Sequence, residues 1–161
     1  MHRYRTHNCG ELTKANINSH VRLSGWIHSK RDHGSLLFID LRDQYGITQI
    51  VVDKNNKIFN LLEHTKVESV ITVTGSVVSR SDETINKKII TGSIEVLINE
   101  VNIISESNVL PMQVTGNEYY GDEIRLKNRF LDLRRETVKN NIILRSEIIE
   151  FIRSTMIDNG F

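Results

Sequence analysis

The stretch RDHGSLLFIDLRDQYGITQIVV, Arg31 to Val52, reads as two short strands joined at a turn. Successive side chains of a strand point to opposite sides, so Leu37, Ile39 and Leu41 share one face. The other face holds Leu36, Phe38, Asp40 and Arg42, a large aromatic among charges, just after the basic pair Lys30-Arg31. Asp43-Gln44-Tyr45-Gly46 supplies the turn chemistry between the strands. One apolar face and one mixed face is the pattern of a hairpin that covers a core on one side only.

Outward from this hairpin the strand signal persists. Before it, Val21, Leu23, Gly25 and Ile27 alternate with Arg22, Ser24, Trp26 and His28. After it, Ile58, Leu61 and Leu62 are spaced to share a face of a short helix within DKNNKIFNLLEH. A strand over 68–78 follows, with Ile71, Val73, Gly75 and Val77 on one parity, and a last strand runs through TGSIEVLI. Three strands, a helix between the third and fourth, then two more strands is the order of a five-stranded OB barrel. The expected fold is therefore mainly β, with this barrel over 1–105.

Around 106–116 the period stops, and the only proline, Pro111, falls there. The reading is a linker over 106–124. Beyond it DEIRLKNRFLDLRR is charged and helix-prone, and Val138, Ile142, Ile149, Ile152 and Met156 form an apolar stripe on a helix that stops at Asn159-Gly160. That stripe lacks a visible partner in the sequence, so the segment 125–161 reads as a second domain cut off partway.

Composition narrows the function classes. The chain has 161 residues and a net charge of +1, so overall charge does not announce a nucleic-acid partner. Residues 1–31 are more basic, with six Lys and Arg against Glu11 alone. By itself this fits a solvated basic face. No apolar run approaches the roughly 20 residues of a membrane span, and the start lacks the apolar region of a secretory signal. Cys9 is the only cysteine, which rules out an internal disulfide and fits a reducing, cytoplasmic compartment. His2, His7 and Cys9 match no common zinc spacing and lack a fourth ligand. Asp32, Asp40 and Asp43 are read as strand-end ion pairs with Arg42 rather than as acid–base carboxylates.

The mixed face is where chemistry concentrates. Phe38 can stack on an unpaired base, Gln49 on the neighbouring strand carries both a donor and an acceptor for a base edge, and Arg31 at the rim can take a phosphate or carbonyl. Glu95, in TGSIEV, can accept from exocyclic amines or ring N–H groups. From pattern alone two readings of Phe38 stand: a base platform, or a second small core under a loop.

GWIHSKRDHGSLLFIDLRDxxGITQIV resembles the anticodon-binding domain of bacterial-type aspartyl-tRNA synthetases. TGSIEV and VLP match further along, and RLKNRFLDLRR, Arg125 to Arg135, resembles the opening of the class II catalytic domain shared by the aspartyl, asparaginyl and lysyl enzymes. The resemblance implies that Arg31, Phe38, Gln49 and Glu95 contact the anticodon, Phe38 by stacking on its central base, and that Arg80 adds a further contact. It implies tRNA(Asp) as partner. His33, before Gly34, resembles the members with relaxed specificity, which also charge tRNA(Asn); strict members more often carry Leu there. The final helix resembles the first half of motif 1, which builds the homodimer of the full-length enzyme. Motifs 2 and 3, which hold ATP with magnesium, are not in the sequence. The chain as given is thus expected to bind tRNA without forming an adenylate and to carry no cofactor. Two alternatives are a stand-alone OB-fold single-strand binder and a fragment of the lysyl or asparaginyl sister enzyme.

Overall fold

The computed structural model describes residues 3–116 and 118–161. It divides into two compact units, one ending at Asn108 and the other running from Val109 to Phe161.

In the first unit the strands β1 (His20–Asp32), β2 (Leu36–Arg42), β3 (Ile47–Asp53), β4 (Val70–Ser79) and β5 (Ile94–Ser105) close a barrel in the order β1-β2-β3-β5-β4. All neighbours are antiparallel except β3 and β5. The expected five-strand order is the observed one. The alternation explains the closure: Leu37, Ile39 and Leu41 are buried while Leu36, Phe38, Asp40 and Arg42 are only partly so. Leu23, Ile27, Ile50, Ile71, Val73 and Val96 complete the same core. Gly75 sits where a Cβ would lie 2.2 Å from the Leu97 carbonyl oxygen, so the barrel wall there is drawn in to backbone contact.

A bulge interrupts β1. Ile27 pairs with Leu41, but the next pair is Ser29 with Asp40, so His28 is left without a partner on β2. One extra residue reverses the parity of everything after it. Val21, Leu23, Gly25 and Ile27 face the core, and simple alternation would continue inward to Arg31. Because of the bulge, Lys30 takes the inward parity and Arg31 stands outside opposite Phe38. Lys30 then turns its Nζ to the carbonyls of Leu62, Glu63 and Thr65 at the end of helix α1 (Phe59–His64). A cation satisfies the orphan carbonyls of a helix C-terminus, which accounts for a lysine on this side of the strand.

His28 itself is partly buried, and its Nδ1 finds no hydrogen-bond partner among the described residues. Burial, and next the Arg42 guanidinium, hold its pKa below the ordinary 6.5. The folded state therefore disfavours the proton relative to the unfolded chain. This stability is fully present above 6.5 and is lost as pH falls from there towards the folded-state pKa. Melting between pH 7.5 and 5.5 is expected to show a fall in Tm that is smaller in His28→Asn; an equal fall in both proteins overturns this role.

Helix α1 is shorter than its periodicity suggested. It buries Phe59 and Leu62, while Leu61 is 47% exposed. The expected face of Ile58, Leu61 and Leu62 is thus corrected: a six-residue helix has room for one inward pair spaced by three. The ion pairs are corrected too. Arg42 bonds Glu68 at 2.9 Å, Asp40 bonds Arg31, and Asp43 lies 3.9 Å from Arg5 while accepting the Cys9 amide at 2.8 Å. Cys9 is wholly buried in the barrel core, and burial pushes its thiol pKa up, with the Asp43 charge adding to this. His2 of the zinc trio lies outside the described residues.

In the second unit, Met112 and Val114 are buried with Leu131, although they fall in the stretch read as an aperiodic linker. The charged segment forms two short helices, α2 (Asp122–Lys127) and α3 (Arg129–Asp132), that meet at Asn128. Asp132 is fully buried and accepts from Arg125 Nε at 3.1 Å and from Arg129 Nη1 at 2.5 Å. A buried carboxylate of this kind is tolerated only with such partners. Helix α4 (Glu136–Asp158) buries none of its residues, and apolar side chains occupy more of its circumference than one stripe, including Ile143, Leu144, Phe151 and Ile157. It stops in a Schellman arrangement, with Gly160 N–H on Ile157 and Phe161 N–H on Met156. No helix among the described residues is long and apolar enough to cross a membrane.

Candidate nucleic-acid interface

The outer face of β1, β2, β3 and β5, with the residue that follows β4, assembles the predicted residues from four places in the chain. Phe38 lies between Arg31 on β1 and Val51 on β3 in the strand register. It is only partly buried and takes no part in the barrel core. The β1–β2 turn brings His33 over it, with ring centroids 5.2 Å apart and planes at 86°, an edge-to-face pair. The turn is set by short-range bonds: Gly34 N–H donates to Asp32 Oδ1 at 2.7 Å and His33 N–H to the Leu36 carbonyl at 3.0 Å. Gly34 takes φ +78°, a conformation that favours glycine, which leaves His33 exposed at the tip.

Beside the aromatic pair lies a continuous polar chain. Arg31 Nη2 donates to both Asp40 oxygens, at 3.1 and 3.2 Å, and to Gln49 Oε1 at 3.3 Å. Arg80 Nη1 donates to the same Gln49 oxygen at 3.2 Å, and Gln49 Nε2 donates to Glu95 Oε2 at 3.1 Å. The two guanidiniums fix which way the amide points, since only its oxygen can accept from them. All six predicted residues, Arg31, His33, Phe38, Gln49, Arg80 and Glu95, thus fall in one area of the barrel.

Gln49 is the exception to its expected exposure. It is 2% exposed, covered rather than displayed. Its oxygen already serves two arginines and one of its N–H groups serves Glu95, which leaves a single N–H for a ligand. The free protein therefore offers a base the two guanidiniums, the Glu95 carboxylate and one amide donor. The expected donor–acceptor pair of a free amide is not on display. Asp40, expected to pair with Arg42, instead joins this chain through Arg31 and also accepts from Ser29 Oγ at 2.7 Å. Its signal was present in the quoted stretch, where it shares parity with Phe38.

Chemically, this is a face for flat, polar, unpaired groups. An aromatic ring offers stacking, and flanking donors and one acceptor can select what stacks. Among the described residues no three His, Cys, Asp or Glu side chains come together to hold a metal ion.

Comparison with known proteins agrees with this fold. Residues 21–104 match the family described as the OB-fold nucleic acid binding domain, and residues 121–161 match tRNA synthetases class II (D, K and N). The chain is 56% identical over its whole length to an aspartate–tRNA(Asp/Asn) ligase of Phenylobacterium zucineum, and 52% identical to that of Zymomonas mobilis; in each case it spans 27% of the relative's length. Its fold is shared with a crystal structure of a putative aspartyl-tRNA synthetase from Leishmania major, at TM-score 0.87 and 19% identity over 100% of this chain and 34% of that one. The asparaginyl-tRNA synthetase of Pyrococcus horikoshii, complexed with asparaginyl-adenylate, shares it at TM-score 0.81 and 24% identity over 96% of this chain and 35% of that one. The chain belongs to the OB-fold nucleic acid binding domain family, here followed by the opening of a class II tRNA synthetase domain of the D, K and N type.

Proposed function

We propose that this chain recognises the anticodon loop of tRNA(Asp), as the anticodon-binding part of an aspartate–tRNA ligase. The observation that carries the reading is the partly exposed Phe38 ring flanked by the Arg31–Gln49–Arg80–Glu95 chain. Phe38 takes the central base by stacking, and the two guanidiniums and Glu95 select among base edges and the adjoining backbone. Identity to the ligases over the whole chain supports the reading.

His33 extends it to tRNA(Asn). The aspartate and asparagine anticodons GUC and GUU differ only in their third base. A histidine poised at the edge of the Phe38 ring can hydrogen-bond the polar edge of either pyrimidine. The relatives are named as ligases acting on both tRNAs, which supports relaxed choice. The parent protein, on this reading, joins aspartate to tRNA with ATP and magnesium, acts as a homodimer and works in the cytoplasm. No cluster among the described residues fits magnesium.

The test is a fluorescence-anisotropy titration of the 161-residue chain with stem-loops carrying GUC, GUU and an unrelated anticodon at one salt concentration. Tight binding to GUC and GUU over the third is expected. Binding to GUC alone removes the relaxed reading of His33, and equal binding to all three removes anticodon recognition.

A further inference from the structure

The basic N-terminal stretch is not left as a loose tail. Thr6 N–H donates to the Arg22 carbonyl at 2.8 Å, Arg22 N–H returns to Thr6 Oγ1 at 2.9 Å, and Ser24 Oγ donates to the Tyr4 carbonyl at 2.5 Å. These bonds hold residues 3–6 against β1, which carries Arg22. Arg22 Nη1 reaches the Arg3 carbonyl at 3.4 Å, Arg3 lies 5.5 Å from the centroid of the Tyr4 ring, and Arg5 lies 5.5 Å from that of Tyr45. Tyr4 and Tyr45 are 44% and 53% exposed.

The opposing acidic charge is largely spent. Asp43 is 8% exposed, and its oxygens accept the amides of Cys9 at 2.8 Å, Tyr45 at 2.7 Å and Gly46 at 3.0 Å. Its 3.9 Å approach to Arg5 neutralises one guanidinium in part. Arg3 and Arg22 are exposed, and neither has a salt bridge among the described residues. Guanidiniums held on a fixed backbone are suited to phosphate oxygens, which they meet in a planar fork. Arginine stacked on tyrosine keeps that fork oriented.

We propose that Arg3, Arg5 and Arg22 form a second contact surface, for the sugar–phosphate backbone of the RNA whose unpaired bases meet the Phe38 face. Tyr45 lies beyond the end of β2, at least four residues or about 13 Å along the strand from Phe38. The phosphates that Arg5 serves beside Tyr45 belong to nucleotides flanking the anticodon triplet, in the loop or stem. The inference rests on the anticodon reading for the identity of the RNA.

The experiment compares wild type, Arg3→Gln/Arg22→Gln and Arg3→Lys/Arg22→Lys, each against a GUC stem-loop and a bare GUC trinucleotide over a series of salt concentrations. The Gln pair is expected to weaken stem-loop binding on the order of tenfold and to flatten the log–log salt slope by about one to two. Trinucleotide binding and the preference for GUC over an unrelated anticodon stay unchanged. The Lys pair keeps the charge and is expected to keep the wild-type slope; a slope flattened equally in both pairs shows that charge at these positions is not what acts and overturns the proposal. Unchanged stem-loop affinity and slope in the Gln pair also overturn it. Phe38→Ala separates the two readings: if it is neutral while the Gln pair loses binding, the base platform fails and the backbone surface stands.

Discussion

Replacing Phe38 with alanine is expected to weaken binding of an anticodon stem-loop by roughly tenfold to a hundredfold, whatever its anticodon. Stacking on an aromatic side chain contributes about 1–3 kcal/mol per base by alanine substitution, and every base has a face to stack. The fold should tolerate the change, because Phe38 lies outside the barrel core. Gln49→Ala gives a contrasting signature. It removes the shared partner of Arg31, Arg80 and Glu95, so these groups lose their common geometry while the platform survives. Affinity then falls less than in Phe38→Ala, and the difference between cognate and unrelated anticodons shrinks. Anisotropy titrations of both variants check this; a Phe38→Ala protein that binds within twofold of wild type sinks the platform assignment.

Gly75→Ala is expected to cost about 3 kcal/mol or more of stability and to lower Tm by at least about 10 °C. The added Cβ would stand 2.2 Å from the Leu97 carbonyl oxygen and 2.7 Å from the Ile98 Cα. Both obstacles are backbone of β5, which cannot swing away as a side chain can. Relief requires β4 and β5 to part at a point where their register already shifts, between Thr74 and Gly75. Gly34→Ala is the control, since a Cβ there meets nothing within 4 Å and the cost is only that of holding φ at +78°. That conformational strain is about 1–2 kcal/mol for an L residue. Calorimetry or thermal melting ranks the two; equal losses would mean that the β4–β5 contact does not limit the barrel.

The architecture was legible because the barrel is built from strong period-two signals. Leu37, Ile39 and Leu41 alternate so cleanly that their burial follows from strand geometry alone. The gathering of chemistry around Phe38 was legible for the same reason: parity places Asp40 and Arg42 beside it on one face. Short elements were read less well. Leu61 was expected inward and lies outward, because six residues of helix give too few repeats for periodicity to choose a face. The apolar residues of α4 were reduced to one stripe, although Ile143 and Ile157 widen it.

By itself the sequence determined the succession of strands along the chain and much of the face they turn to the barrel core, since these depend on local alternation. Only the tertiary structure decided how the side chains around Phe38 are presented. The bulge at His28 reverses parity and carries Arg31 to the outer face, and a bulge is a two-strand event invisible along one strand. The burial of Gln49 and the pairing of Arg42 with Glu68 instead of Asp40 bring together residues far apart in the chain. Their partners are set by how the strands close into a ring, and no spacing within the sequence encodes that distance.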